Sequence, residues 1–499
     1  MRFIQFVYKN MGTLPMAVLH VFFFLAFCSV SILNHYFFRS AALDYGIANQ
    51  ALYQFAHLQN PVCTLLLQNT DAPYLSLHMS LWVPLLSPLY WIFGSYTLLW
   101  VQNIALIFCG VGIYKVAAEE LQNKSFAFLI TLQFYISFAV YAALASDFHE
   151  NVLGACFFPW LYYYYSHGKK WQTFLCVLAM LISKENFAIW LPFVIVGLVF
   201  VNKQWNYKQW LFPLGLILLC ASWFILVGLW IMPALSPVGK FEQLTRFSHL
   251  GGNIEEIIST IISKPLDMFN LFYKSNVQPD SDELIKQELL WVLLFSGGIA
   301  LLWRPSFLLM ILPLLMQKLW NKEVAFWGIN YHYNIEFAPV IAIAIVMMLA
   351  SIKQVQIKSS LLVFCLLGTL YMTVSKMQER IAYHYNPINE NVFSSTHYSS
   401  QLPVVIIKKG LNQIPQNASV SAHANLAPHI ANRDTIYHFP FIKNARYIAL
   451  LFPTNNTYPL SPATYNHIVD SLKQSRHWKI EYYEEPILIM KRNDWISHP

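Results

Sequence analysis

Between residues 14 and 376 the chain runs through one apolar stretch after another, separated by short polar turns. No other feature constrains the fold as strongly, because a helix that crosses a bilayer needs about 20 apolar residues. Candidate runs lie near 14–35, 97–117, 125–145, 151–167, 171–184, 186–201, 208–232, 288–303, 305–318, 336–352 and 359–376. A further run at 79–94, "MSLWVPLLSPLYWIFG", is short and broken by Pro84 and Pro88; it either crosses or dips into one leaflet and returns. Composition agrees with this reading. Hydrophobic residues make up 57% of the chain and charged residues 11%, where a soluble protein carries about 25% charge. The expected fold is therefore mainly α, a polytopic membrane protein.

The loops orient the spans. With 79–94 not crossing and Met1 on the inner side, the inner positions hold Arg2, Lys9, Lys115, Lys124, Lys169, Lys170, Lys203, Lys208, Arg304, Lys353 and Lys358. Every inner loop then carries positive charge, as the positive-inside rule requires. The opposite phase would put "SDFHEN" and "SKEN" inside and the "HGKK" turn outside. The expectation is about eleven transmembrane helices in an inner (plasma) membrane, with the N-terminus cytoplasmic. The first run is too long for a signal-peptide core and reads as an uncleaved anchor. The outer face then receives a first loop with juxtamembrane helices (36–96), a long loop (233–287) and everything after about 377. "NIEEIISTIISKPLDMFNLF" (253–272) has apolar residues at helical spacing and is expected as an amphipathic helix on that face.

The net charge of +7 fits cytoplasmic anchoring, and no dense basic block interleaved with aromatics indicates a nucleic-acid partner. The seven cysteines form no C-x-x-C pair, so neither a disulfide framework nor a zinc site is expected. Composition changes after the spans. A linker (377–402) leads into a small α/β domain (403–499). Its strand-like runs are "ASVSAH", "DTIYHF", "ARYIALLF", "WKIEYY" and "PILIMKR", alternating with the helix-like "NLAPHIA" and "PATYNHIVDSLKQS".

Ionisable groups at membrane level are costly and tend to face a cavity, pair, or work. They gather in four outer-face elements: "LDYGIANQ" with Asp44 and Gln50, "LSLHMSLW" with His78, "SDFHEN" with Asp147, His149 and Glu150, and "SKEN" with Lys184 and Glu185. "WGINYHYNIEF" adds His332, Tyr333 and Glu336. Carboxylates beside His and Lys suit an anionic substrate and acid/base chemistry. Plainer readings stand beside this one. Asp44 and Asp147 would serve as helix N-caps, Lys184 and Glu185 as interfacial anchors, and His78 as an interface residue. Asp147, His149 and Glu150 also form a loose candidate set for a divalent cation.

The succession "LDYGIANQ", "LSLHMSLWVPLLSPLY", "SDFHENVLGACFFPW", "LISKENFAIW" and "IPQNASVSAHANLAPHIANRDTIYHFP" resembles domain-of-unknown-function family 2079 of predicted prokaryotic membrane proteins. Asn186 departs from the acid expected there. That family more distantly resembles the GT-C glycosyltransferases, such as protein mannosyltransferases and the lipid A aminoarabinose transferase. The resemblance implies a GT-C-like bundle and a polyprenyl-phosphate-sugar donor, with a lipid, glycan or protein as acceptor. It makes Asp44 the acceptor-activating base and Asp147 its catalytic assistant. Lys184 and His332 would hold the lipid phosphate, and Gln50, His78, His149, Glu150, Glu185 and Tyr333 would contact substrate. Two rival expectations are a transporter or flippase of a lipid-linked envelope intermediate, and a non-catalytic envelope assembly factor.

Overall fold

The computed structural model describes residues 14–67, 71–275, 283–382 and 385–493. Arg2 and Lys9, two of the charges expected inside, lie outside the described residues, as does part of the expected 233–287 loop. Seven helices among the described residues are long and apolar enough to cross a membrane. They are Leu14–Tyr36, Trp82–Leu121, Lys124–Ala145, Tyr207–Leu235, Glu283–Trp303, His332–Ala350 and Val355–Gln378. Three shorter apolar helices accompany them: Lys170–Leu181, Phe187–Val201 and Pro305–Leu319. The expected 151–167 run forms two pieces, Glu150–Ala155 and Phe158–Ser166, divided where Pro159 enters the second helix.

The Trp82–Leu121 stretch is a regular helix only from Thr97 on, and residues 79–94 before it are irregular. Short turns at Trp82–Leu86, Ser87–Leu89, Tyr90–Phe93 and Gly94–Tyr96 lead into the regular helix Thr97–Leu121. Pro84 and Pro88 supply no backbone N–H to a preceding turn, which prevents one long helix from propagating through them. The amphipathic segment is helical over Ile254–Ser263, capped by the Asn253 side chain on the Glu256 amide, and again over Pro265–Asn270.

The described chain divides into two compact units. One comprises the residues up to Val30, Gln102–Ala234 and Lys240–Val392; the other comprises Ser31–Val101, Leu235–Gly239 and the residues from Phe393 on. The first is an all-helical bundle. Helices Phe187–Val201 and Pro305–Leu319 approach closely because Gly197 has no Cβ to strike Met310 and the Ser306 carbonyl. The Trp190 indole N–H closes this contact on the Met310 carbonyl at 2.8 Å. Lipid offers helices little hydrophobic drive to associate, so such close packing and interhelical hydrogen bonds hold the bundle.

Contacts inside this unit sort the helix ends into two groups. At one end Lys115 lies over the Tyr163 ring, Glu119 meets His167 at 2.5 Å, and Tyr165 donates to Gln204. Tyr162 reaches Met347, whose carbonyl takes the Arg304 guanidinium, and Trp303 donates to Ser351. At the opposite end Gln102 binds the 147–149 backbone, Asn151 donates to Glu336, and Asn186 to Gln317. Glu288 pairs with Lys376, and Arg380 binds both Asn330 and Glu390 there.

The second unit contains two sheets. A short antiparallel pair joins β1 (Val62–Cys63) to β2 (Ala72–Pro73). Five further strands, β3 (Val420–Ala422), β4 (Ile436–His438), β5 (Tyr447–Leu451), β6 (Trp478–Glu484) and β7 (Ile487–Arg492), form one sheet in the order β4-β3-β5-β7-β6. β3 is parallel to β4 and β5, whereas β7 is antiparallel to β5 and β6. All five strands fall on the expected runs. Helix Pro462–Gln474 buries Tyr465 and Val469 against Ile448, Leu450, Leu488 and Met490. Each such fully buried aliphatic side chain contributes about 1.5–3 kcal/mol.

Candidate functional site

In the helical bundle three turns converge on one end. They are the turn after Lys124–Ala145, the turn before Phe187–Val201, and the segment between Pro305–Leu319 and His332–Ala350. Asp147 and His149 sit on the first turn. Asp147 takes a left-handed backbone conformation at φ 64°, unusual for a residue with a side chain. The Gln102 amide fixes that shape, donating to the Asp147 carbonyl at 2.7 Å and accepting from the His149 N–H at 3.0 Å. Asp147 is therefore not an N-cap. The next helix, Glu150–Ala155, has His149 at its N-cap position without a side-chain cap bond.

His149 lies against His332, with ring centroids 3.3 Å apart. Asn151, one turn into the bundle, donates to the Glu336 carboxylate at 2.8 Å and to the His332 carbonyl at 3.3 Å. Lys318 is buried, donates to the Gly328 carbonyl at 3.3 Å, and stands 5.6 Å from the centroid of the Tyr333 ring. Tyr333 stacks on Phe326 and touches His332. Lys184 and Lys318 bring positive charge near the buried Glu336 carboxylate. Glu150 and Glu185 are also buried, and Lys184 is half-buried on the Ser183–Asn186 turn.

These groups form one assembly. Asp147, His149, Glu150, Lys184, Glu185, His332 and Tyr333 were the expected members and all lie in this unit. Gln102, Asn151, Gln317 and Lys318 were not expected. Lys318 was legible, since an ionisable side chain one residue before the end of an apolar helix is the signal sought elsewhere in the chain. Buried polar atoms without a partner also cluster here: Asn151 Oδ1, Asn186 Oδ1 and Gln317 Nε2. Among the described residues no three His, Cys, Asp or Glu side chains are arranged to hold a metal ion.

Asp44, Gln50 and His78 belong to the other unit. Asp44 is exposed within a wide helical turn, Ala42–Gly46, that runs into the helix Ile47–Ala56. The N-cap position belongs to Ala41, so Asp44 is not the cap either. Its neighbours hold that turn: Tyr45 donates to the Ser95 carbonyl, and Asn49 to Ser95 at 3.1 Å and Pro428 at 3.3 Å. His35 stacks in parallel on His429 at 4.1 Å and packs edge-on against Tyr45.

Gln50 has a structural task. Its amide bonds Thr64 through both the backbone N–H and the hydroxyl, and reaches the Asp434 carbonyl at 3.2 Å. Thr64 in turn spans to both backbone groups of Ile436, which ties the Asp44 segment to β4. His78 ends the short helix Tyr74–Leu77 in an extended conformation and is half-buried.

The chain belongs to a family described as predicted membrane protein (DUF2079), whose profile matches residues 34–490. No curated protein matches it.

Proposed function

We propose, from membership in this family of predicted membrane proteins, that the chain is a membrane glycosyltransferase of GT-C type. It would move a sugar from a polyprenyl-phosphate donor to an acceptor at the outer face. The observation that carries the reading is the assembly of His149, Asn151, Lys184, Lys318, His332 and Glu336 at one end of the helical bundle. Buried positive charge and imidazoles at a membrane boundary suit a phosphate leaving group. Asn151, which was not foreseen, locks the Glu336 carboxylate beside them.

The sorting of helix ends supports eleven crossings and their direction. The end with Lys115, Lys170 and Arg304 also receives Lys124, Lys169, Lys203, Lys208, Lys353 and Lys358 by chain connection, against Glu119 and Glu120. That end is the inner one by the positive-inside rule. The opposite end, with Asp147 and His332, is then outer, and so is the C-terminal sheet. In this reading Asp44 orients or deprotonates the acceptor hydroxyl. Lys184, Lys318 and His332 stabilise charge on the departing lipid phosphate, the larger electrostatic contribution.

The testing experiment supplies purified protein in nanodiscs with radiolabelled polyprenyl-phosphate sugars. Donor consumption that Lys318→Met abolishes supports the reading. A protein that moves donor across a liposome bilayer without consuming it is a transporter.

A further inference from the structure

The helix Glu283–Trp303 is broken in its middle. Ser296 and Gly297 leave helical geometry, Gly297 at φ 102°, and divide the span into Glu283–Leu293 and Ile299–Trp303. A broken span at membrane depth exposes backbone carbonyls, which is tolerated only where protein or a polar cavity receives them. Here the receiving groups come from two other spans. Gln133, at the middle of Lys124–Ala145, donates its amide to the Ser296 carbonyl at 2.9 Å and to the Thr369 hydroxyl at 3.0 Å. Gly368 lets Val355–Gln378 press against the Phe295 carbonyl, where any Cβ would collide.

The cluster is polar, fully enclosed and incompletely satisfied. Gln133 is 2% exposed, Ser296 3%, Thr369 0% and Thr373 3%. Three of its oxygens have no hydrogen-bond partner: Gln133 Oε1, Ser296 Oγ and Thr373 Oγ1. The Gln133 amide nitrogen, by contrast, is already engaged twice. What the cluster leaves available is oxygen, on an unwound helix between three spans.

We propose that the unpartnered oxygens of Gln133, Ser296 and Thr373, beside the broken segment Leu294–Gly298 and Thr369, form a binding site for an alkali metal cation. Hard cations take oxygen ligands, and unwound helices whose carbonyls face the protein interior are a recurrent way to supply them in membrane proteins. The ligand set contains no carboxylate, which favours a monovalent ion over Mg²⁺ or Ca²⁺, whose sites draw on acidic side chains. The inference does not depend on the proposed glycosyl transfer, because these groups lie between spans and not among the residues assigned to it.

The test is thermal unfolding of the purified full chain in detergent, with sodium or potassium chloride titrated against choline chloride at constant ionic strength. A ligand that binds only the folded state raises the melting temperature in proportion to the logarithm of its concentration once the site fills. The expected result is a rise for one alkali cation that becomes logarithmic above its dissociation constant, with the concentration at which the rise sets in about tenfold higher or more in Ser296→Ala. A second variant, Gln133→Glu, places a charge among the same oxygens and is expected to make stability depend more steeply on the cation. A melting temperature indifferent to cation identity in parent and Gln133→Glu alike overturns the proposal. A cation effect unchanged by both substitutions overturns it too, since the ion then binds elsewhere.

Discussion

Acid should loosen the C-terminal sheet, by an amount that the burial of two histidines sets. His423 follows β3 and His438 ends β4; both are 1% exposed. His423 donates to the Asn456 carbonyl at 2.7 Å and accepts from the Asn425 N–H, an arrangement that requires a neutral ring. Burial, joined for His438 by the neighbouring His423, pushes both imidazoles down from 6.5 to about 4. The unfolded chain therefore takes up protons below pH 6.5 that the folded domain refuses. Stability is complete above that value, declines from 6.5 to 4, and levels off below. At pH 5 each histidine costs roughly 2 kcal/mol, and the two together about 4. The assay is hydrogen exchange of the amides of β3, β4 and β5 in the full chain, corrected for the intrinsic pH dependence of exchange. Protection is expected to fall about a thousandfold between pH 7 and pH 5. The double variant His423→Asn, His438→Gln should lose that dependence. Protection that stays constant over this range in the parent, or falls equally in the variant, refutes the reasoning.

Three further outcomes are expected. Arg380→Ala strands a buried carboxylate, since Arg380 and Glu390 pair at 2.5 Å with side chains 2% and 7% exposed. Calorimetry should show a loss of about 3–5 kcal/mol, and Arg380→Met with Glu390→Leu should recover most of it. Lys318→Met should lower transfer at least a hundredfold; it also removes positive charge near the buried Glu336 carboxylate, so the melting temperature should fall, and Lys318→Met with Glu336→Gln should recover the stability but not the transfer. In sealed right-side-out vesicles a membrane-impermeant maleimide should label Lys473→Cys and spare Lys208→Cys. The seven native cysteines are free and none is exposed, which keeps the background low.

Much of the architecture was legible because apolar runs of two different lengths mark it. Runs of span length place most of the helices, and the short continuous runs in "ARYIALLF" and "PILIMKR" place the buried strands β5 and β7. Less was legible where a single residue decides. Pro159 divides a run that hydropathy alone treats as continuous, whereas Pro84 and Pro88 were read as breaks from the sequence. The break at Ser296–Gly297 was hidden because "FSGGIA" still counts as apolar, although paired glycines in a span were a warning. At the site, the ionisable residues announced themselves by being expensive in a membrane. Asn151 and Gln102 did not, because a neutral amide is cheap and its partners are distant in sequence: Asn151 meets Glu336, and Gln102 meets the backbone of Asp147 and His149. Gln50, whose position beside Asp44 suggested substrate contact, has structural partners as well. Its amide is taken up by Thr64 and Asp434, ties that sequence spacing does not reveal.

The central claim is chemical: that the chain transfers a sugar and that Asp44 takes part. The most direct measurement is donor consumption by purified protein in nanodiscs over a panel of radiolabelled polyprenyl-phosphate sugars, with Asp44→Asn beside the parent. Asp44 is exposed, so the substitution should leave folding and membrane insertion intact. The parent should consume one donor and the variant none. Equal consumption by both removes Asp44 from the mechanism, and no consumption of any donor by the parent rules out sugar transfer.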